Sequence, residues 1–564
     1  MSNSILAPLA SLSPTSYAAI GAAAVVLFHV VPWLQDPHGY RQYPGPFLAQ
    51  FSDLWLILAT LSGHRSEKVH ALHEKYGPVV RIAPNHLSVA TSSALQTVYA
   101  HGNGALKTDY YDAFVSIQRG LFNTRDRHEH TRKRKIVSHI FSQKNVIDFE
   151  PHVRMYVTQL MDQWDRLCNR ATKNESGDEG ESGWFGKNGR LWLDVLPWCN
   201  YLAFDIIGDL AFGAPFGMLV ACKDSAPVPV DQKAAMDRYG QEVEQTQQKE
   251  IPAVQVINGR GEFSGSMGTI PTWLRPLAKQ TPWFKQGSQD VKTLAGIAIM
   301  AVSKRLQAES DRADLLQKLQ NSKDENGNPM GRGELTAEAL TLLIAGSDTT
   351  SNSTCAIIHY LATYPSAQAK LQQELDENVT ADEPANFDDV KNLPYLQAVI
   401  NEALRLHSTS AIGLPRQVAD DGMSVPLGFS SDSPALTLSA GSIVSVPSYT
   451  IHRDSEIWGD DYETFRPERW IEAEDEWKQL QKDGKDDKTS KYRLFQQTFN
   501  PFSIGPRACV GKNLANLELL IIVASILRKF HFVLEKEGQE LPTSEGFLRK
   551  PLHCHVGIKQ RDVL

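Results

Sequence analysis

The stretch FSIGPRACVG, residues 502–511, decides the fold of this chain. It places Cys509 just before the strongly apolar segment 514–530, whose pattern predicts a buried helix. Free N–H groups and the positive end of the helix dipole stabilise a thiolate at the start of a helix. Cys509 alone would indicate a buried structural cysteine, so the interpretation depends on its neighbours.

Those neighbours each have a physical reason to be there. Gly505 and Gly511 allow a tight turn and a close approach of the backbone to a flat ring. Arg507 is a cation suited to a carboxylate, and Phe502 can shield a sulfur atom from water. Together they favour a thiolate ligand of a planar, carboxylate-bearing cofactor.

The stretch resembles the haem-binding loop of the cytochromes P450. The resemblance implies a mainly α fold with small β-sheets, in which Cys509 is the axial ligand of the iron of haem b. It also implies that Phe502, Gly505, Arg507 and Gly511 surround the cofactor.

A second pattern is Glu402-Ala-Leu-Arg405, whose spacing places both charged side chains on one face of a helix predicted over 393–406. In isolation it would indicate a surface salt bridge. The resemblance adds the stretch FRPERW, residues 465–470, and implies that Arg469 completes a buried structural triad.

A third pattern, AGSDTT at residues 345–350, lies within the clearest predicted helix, 335–364. An acid and an alcohol inside a helix can open its hydrogen-bond ladder and hold water, or simply mark a kink. The resemblance implies that the helix activates oxygen, with Asp348 relaying protons, Thr349 stabilising the activated oxygen, and Ala345 and Gly346 leaving room for O₂.

Basic residues upstream are expected to bind the haem propionates. The pattern His130-x-x-x-Arg134 is similar to the family's W-x-x-x-R, with His in place of Trp, and the register His128-x-x-x-Arg132 fits equally well by spacing. We prefer the first register, and we expect Arg416 to be a further partner.

The electron donor is expected to be another protein, because the sequence has neither a P-loop nor a Gly-x-Gly-x-x-Gly motif after a strand. The resemblance implies an NADPH–haemoprotein reductase. Basic residues at 132, 133 and 135 form either its docking patch or a solvated face. A net charge of −8 argues against nucleic-acid binding, and six cysteines without a C-x-x-C pair indicate a reducing compartment.

The N-terminal part differs in composition from the rest. Residues 17–34 carry no formal charge, and Lys and Arg follow only from Arg41. We predict a membrane anchor over 1–36 rather than a cleaved signal peptide, and a single catalytic domain over 37–564. The charge distribution places that domain in the cytoplasm, and the family implies the endoplasmic reticulum membrane. The polar stretches 169–190 and 472–492 are expected to be solvated and mobile.

A narrower resemblance concerns the substrate. The stretches YGPVVRIAPNHLSVA (76–90), RGLFNTRD (119–126) and HTRKRKIVSHIFS (130–142) are similar to the fungal benzoate para-hydroxylases. The implied reaction converts benzoate to 4-hydroxybenzoate with O₂. One alternative is a related enzyme that acts on a phenol or another small aromatic compound. The other is a non-catalytic haem protein that serves as a sensor or carrier.

A benzoate anion in an apolar pocket needs a cation or several hydrogen-bond donors. We expect Arg119 or Lys107 to anchor the carboxylate, and Tyr110 or Tyr111 to donate a hydrogen bond. Alternatively, these basic residues face solvent or the haem propionates.

Overall fold

The computed structural model describes residues 13–231, 248–307, 314–324, 327–379, 384–428, 432–484 and 490–562. Helices make up most of this part of the chain. In chain order they are α1 Pro14–Gln35, α2 Leu54–Leu61, α3 Arg65–Tyr76, α4 Ser92–Tyr99, α5 Arg127–Ile140, α6 Gln143–Ile147, α7 Glu150–Ala171, α8 Val195–Phe212, α9 Met218–Ala221, α10 Ala253–Thr269, α11 Arg275–Ala278, α12 Pro282–Gln307, α13 Leu315–Asn321, α14 Arg332–Thr363, α15 Pro365–Asn378, α16 Phe387–Val390, α17 Pro394–Leu406, α18 Ser448–Ile451, α19 Ser455–Trp458, α20 Glu468–Lys482, α21 Lys491–Thr498 and α22 Lys512–Lys529.

The strands are short and form small sheets, so the predicted fold class, mainly α with small β-sheets, is confirmed. In chain order they are β1 Val79–Ala83, β2 His86–Val89, β3 Leu106–Lys107, β4 Ser176–Gly177, β5 Trp184–Lys187, β6 Arg190–Asp194, β7 Ala226–Pro229, β8 Gln248–Ile251, β9 Arg416–Gln417, β10 Met423–Pro426, β11 Ala435–Leu438, β12 Ile443–Ser445, β13 Phe530–Leu534, β14 Thr543–Glu545, β15 Arg549–Pro551 and β16 His555–Gln560. Two sheets have five strands, in the orders β1-β2-β12-β9-β3 and β13-β16-β6-β5-β4.

The long helix α14 runs through the centre of the molecule. It ends just before Tyr364, because a residue that precedes a proline disfavours the helical conformation. It packs against α8, whose 18 residues are almost all buried. Although α8 is long and apolar enough to cross a membrane, 89% of it is inside the protein, which identifies it as a core helix.

The other helices that the sequence predicts also form. The helices α15 and α17 each begin with a proline in the first turn, where the missing N–H leaves no hydrogen bond unmade. Helix α22 follows the 502–511 loop and is buried over most of its length. Predicted and observed ends differ by a few residues at most.

The stretch 169–190 is largely exposed, as expected for a solvated segment, but it is a regular part of a sheet. This segment forms β4 and β5, which pair in register and extend the sheet through β6. The Trp184 side chain is buried, and its indole N–H donates to the Glu179 carboxylate at 2.6 Å. Although the segment is mostly polar, its one buried aromatic residue, Trp184, packs the hairpin against the core.

The second polar stretch, 472–492, was also expected to be solvated and mobile. Its described part is largely helical. Helix α20 continues to Lys482, and Trp477 stacks on Tyr492 at the start of α21 with ring centroids 4.7 Å apart. Residues 485–489 lie outside the described part of the chain.

The N-terminal apolar segment is a 22-residue helix, α1, with no buried residue. Its mean hydropathy is 1.8 over an 18-residue window. A fully exposed apolar helix of this length is suited to lie in a lipid bilayer.

Candidate active site

Cys509 lies between a single turn of 3-10 helix, Gly505–Arg507, and the start of α22. The other five cysteines are buried, whereas Cys509 is accessible. Protein nevertheless surrounds it, and this burial raises the pKa of its thiol against the opposing effects of the Gly511 N–H and the Arg134 charge.

The two glycines of the loop, Gly505 and Gly511, differ in backbone conformation and in the space available for a side chain. Gly505 has a φ of +71°, and a Cβ atom there would lie 2.0 Å from the Tyr99 carbonyl oxygen. Gly511 has an ordinary φ of −83°, and its Cβ atom would be in normal contact with the Cys509 sulfur at 3.9 Å. The tight-turn argument therefore applies to Gly505 alone.

Five basic side chains gather beside this loop, and four of them were predicted to bind propionates. Burial, together with the neighbouring Arg507, Lys107, Arg134 and Arg416 charges, lowers the pKa of His130 to about 3. Burial is the main reason why the pKa of Lys107 lies well below its usual range, and the charges of Arg416, Arg507 and Arg134 act in the same direction. Such a cluster of like charges fits a dianionic partner, and the two propionates of haem supply that charge.

Hydrogen bonds hold the three arginines of this basic cluster in place. Arg507 donates to the Thr124 carbonyl at 2.7 Å, and Arg134 donates to the Ala508 carbonyl at 2.6 Å. Arg416 donates to the Tyr111 hydroxyl at 2.8 Å. Tyr111, which was expected to donate a hydrogen bond to the substrate, therefore contacts the basic cluster.

Lys107 also belongs to the cluster and not to a carboxylate anchor. Its Nζ donates to the Phe122 carbonyl and lies 4.3 Å from the centre of the Tyr111 ring. His130 is buried whereas His128 is exposed, so the structure favours the register with His130 and Arg134.

Two of the basic residues expected to form a docking patch for the reductase form ion pairs within the protein. Arg132 and Lys133 both contact the Glu334 carboxylate, at 2.5 and 2.6 Å. Their charges are neutralised against α14 and are not available as a free basic surface.

The Glu402 carboxylate is completely buried and is bound by three side chains. Arg405 donates to both of its oxygens at 2.8 and 3.0 Å, and Arg469 donates at 2.9 Å. The Trp470 indole N–H adds a fourth hydrogen bond at 2.9 Å. The predicted triad residues are therefore in direct contact, and Trp470 is an additional member that the spacing did not indicate.

On α14, the Thr349 hydroxyl donates to the Ala345 carbonyl at 2.6 Å, as expected for a polar side chain within a helix. Asp348 is buried, and this burial raises its pKa to about 7 against the opposing charges of Lys550 and Arg260. Gly346 faces α8, where a Cβ atom would lie 2.7 Å from the Ile207 side chain. Its small size thus serves helix packing, while Ala345 remains accessible.

Two further residues that were expected to bind substrate have different surroundings. Arg119 is 44% exposed, and its guanidinium pairs with Asp112 at 2.7 Å. This contact contradicts an anchoring role, because the charge is already neutralised at the surface. The Tyr110 hydroxyl is buried without a hydrogen-bond partner.

Sequence reasoning missed Arg260, which lies on α10 and is 7% exposed. An arginine between the apolar turns of a buried helix was the available signal, but its surroundings depend on residues far away in the chain.

Comparisons with known proteins agree with this geometry. The cytochrome P450 family model matches residues 44–557. The chain is 46% identical to benzoate 4-monooxygenase bphA of Aspergillus niger, over 98% of both chains. It is 30% identical to cytochrome P450 monooxygenase hepC of Aspergillus oryzae, over 88% of this chain and 87% of that protein.

We expect Gly505→Ala to lose most of its haem. The new methyl group would force a left-handed residue against the Tyr99 carbonyl, and backbone atoms on both sides leave little room to adjust. The matched control is Gly511→Ala, which should bind haem to the same extent as the wild-type protein. The measurement is the haem-to-protein ratio together with the carbon monoxide difference spectrum of the reduced protein. Equal loading of the two variants would contradict this account of the loop.

We expect Glu402→Gln to lower stability by about 3–5 kcal/mol, because two buried guanidinium groups would lose their carboxylate. Glu463→Gln is the control, since Glu463 is 59% exposed in its pair with Arg453 and should cost at most about 1 kcal/mol. The midpoints of thermal unfolding of the haem-loaded variants give the comparison. Similar midpoints for both would show that the triad does not hold the fold.

Proposed function

The chain belongs to the cytochrome P450 family and is a haem-thiolate monooxygenase, and we propose that it hydroxylates benzoate to 4-hydroxybenzoate. The observation that carries this proposal is the 46% identity with a benzoate 4-monooxygenase over nearly the whole of both chains. A cluster of aromatic side chains beside a buried cation supports it, because such surroundings suit a small aromatic anion.

The reaction replaces the para C–H bond of the ring with C–OH. One atom of O₂ enters the ring, and the other leaves as water with two electrons and two protons. The thiolate-ligated haem, when bound, activates the O₂ and supplies the oxidising equivalent. The protein must hold the ring, limit water and deliver protons.

For the haem, we propose that Cys509 is the axial ligand and that the basic cluster binds the propionates. The cluster consists of Lys107, His130, Arg134, Arg416 and Arg507. Phe502 packs against the main hydrophobic core, and its carbonyl oxygen accepts the Cys509 N–H at 2.8 Å. Its ring would shield the sulfur atom from water.

For proton delivery, we propose Asp348 and Thr349. With a pKa near 7, the Asp348 carboxyl group can both hold and release a proton at neutral pH. The Thr349 hydroxyl currently donates to Ala345 and must rotate to donate into the pocket. A proton held by Asp348 could then reach the pocket through the adjacent hydroxyl or through water.

For localisation, we propose that residues 1–36 anchor the enzyme in the endoplasmic reticulum membrane. Residues 17–34 would lie in the lipid, and the catalytic domain, residues 37–564, would face the cytoplasm. The exposed apolar surface of α1 supports this arrangement. The electrons would come from NADPH through a membrane-bound NADPH–haemoprotein reductase.

Product identification tests the substrate. The full-length enzyme, reconstituted with a fungal NADPH–haemoprotein reductase, should convert benzoate to 4-hydroxybenzoate with one NADPH consumed per product. Phenol serves as the neutral comparison and should be oxidised far more slowly. Faster turnover of phenol would contradict the proposal, and so would the absence of product from a haem-loaded enzyme that gives a normal carbon monoxide spectrum.

A pH profile tests Asp348. Its protonated fraction falls as the pH rises through 7, so turnover of the wild-type enzyme should decline over that range. Asp348→Asn cannot release a proton, so we expect turnover about 100-fold slower without this inflection. Asp348→Glu is the control that retains an acid. An Asp348→Asn variant with the wild-type pH profile would exclude Asp348 as the relay.

A further inference from the structure

Arg260 is a buried cation that makes no ion pair, although the Asp348 charge acts on it across the small cavity that both side chains line. One of its terminal N–H groups donates to the Phe114 carbonyl oxygen at 3.0 Å, while its Nε has no hydrogen-bond partner. Within the described part of the chain, no carboxylate lies at ion-pair distance from its guanidinium. Burying an unpaired charge is costly, and in proteins such charges are usually paired. The arrangement therefore favours a site that receives an anion.

The cations near Arg260 differ from it in this respect. Arg119 pairs with Asp112, and Lys550 pairs with Glu262 at 2.9 Å. Arg275 donates to three backbone carbonyl oxygens. Of these neighbours, Arg260 alone combines deep burial with an unused donor.

The surroundings of the guanidinium are aromatic. It lies 5.3 Å from the centre of the Phe114 ring. The rings of Phe114, Phe122 and Phe547 pack edge to face with one another, with centroids 4.8 to 5.6 Å apart. A further aromatic ring can join such a cluster by the same edge-to-face contacts.

This aromatic cluster connects Arg260 to the haem side of the molecule. Lys107 of the basic cluster lies 4.5 Å from the centre of the Phe122 ring. On the opposite side, Arg260 and Phe547 line one small cavity together with Ile344 and Asp348 of α14. Arg260 is thus at the far end of the aromatic cluster from the propionate-binding residues.

A second unused donor lies on the same side of the same helix. Ser264 follows Arg260 by four residues, so both side chains point in similar directions. The Ser264 hydroxyl is completely buried and has no hydrogen-bond partner. One guanidinium and one hydroxyl are a suitable donor set for the two oxygens of a carboxylate.

We propose that Arg260 binds the carboxylate of the aromatic acid substrate, with Ser264 as an accompanying donor. This inference rests on the proposed function and deepens it. A carboxylate held by Arg260 directs the opposite end of the ring, the para carbon, away from the guanidinium. Arg260 would then determine both the preference for acids and the position of hydroxylation.

The test compares ligand binding in the haem-loaded, full-length enzyme, measured by the spectral shift of the haem. Arg260→Gln keeps a donor for the Phe114 carbonyl oxygen but removes the charge. We expect the Kd for benzoate to rise roughly 10- to 100-fold, while the Kd for neutral benzaldehyde changes by no more than about 2-fold. Arg260→Lys, which keeps the charge, should retain part of the preference for benzoate and tests the same point if the glutamine variant folds poorly.

Two control variants separate anchoring from general effects. Lys550→Gln removes the other cation that acts on Asp348, and Arg119→Gln removes the cation favoured by the sequence. Both should bind benzoate within about 3-fold of the wild-type enzyme. Equal weakening of benzoate and benzaldehyde in Arg260→Gln would overturn the proposal, as would a loss in Lys550→Gln as large as that in Arg260→Gln.

The products give an independent readout. With its anchor removed, Arg260→Gln should form a mixture of hydroxybenzoates, whereas the wild-type enzyme forms the para isomer. A wild-type enzyme that shows the Arg260-dependent preference for benzoate but makes no 4-hydroxybenzoate would refute the proposed function and leave the anchor intact. A wild-type enzyme that binds benzaldehyde as tightly as benzoate would refute the anchor.

Discussion

The buried Glu402 carboxylate is the interaction on which much of the structure depends. It joins α17 to α20 through Arg405, Arg469 and Trp470. Arg405 then donates to the His452 carbonyl oxygen at 2.7 Å, and the His452 ring accepts the backbone N–H of Asn500 at 3.2 Å. Asn500 lies two residues before the 502–511 loop. A continuous set of buried hydrogen bonds therefore connects the carboxylate to the loop that carries Cys509.

The functional site adds a second electrostatic constraint, of opposite sign. Around Glu402, two cations neutralise one buried anion, whereas the basic cluster gathers five basic side chains beside Cys509. Burial, followed by the charges of the neighbouring cations, lowers the pKa values of Lys107 and His130. The negative haem propionates would favour the charged forms of these side chains, so cofactor binding and folding are expected to be coupled in this part of the protein.

Arg260 illustrates how the two ends of the pocket can be distinguished. The basic cluster surrounds one end of the aromatic rings, and a single buried guanidinium lies at the other. A substrate with one charged end and one apolar end can lie between them in a single orientation. For the proposed benzoate substrate, this charge distribution would favour hydroxylation at the para carbon.

The sequence by itself determined the features that depend on neighbouring residues. The loop before α22, the i, i+3 pair on α17 and the ends of α14 and α15 all follow from local rules on helix termini, prolines and side-chain spacing. The family resemblance added the prediction of a haem site, because the motifs that carry it are short and continuous in the sequence. The tertiary structure decided what each cation faces: Lys107 joins the basic cluster, Arg119 pairs at the surface, and Arg260 lies against Phe114 and near Phe547. It also decided that the polar stretch 169–190 extends a sheet around one buried tryptophan. These outcomes depend on contacts between residues far apart in the chain, and no local pattern specifies which of several similar charges is buried and left without a partner.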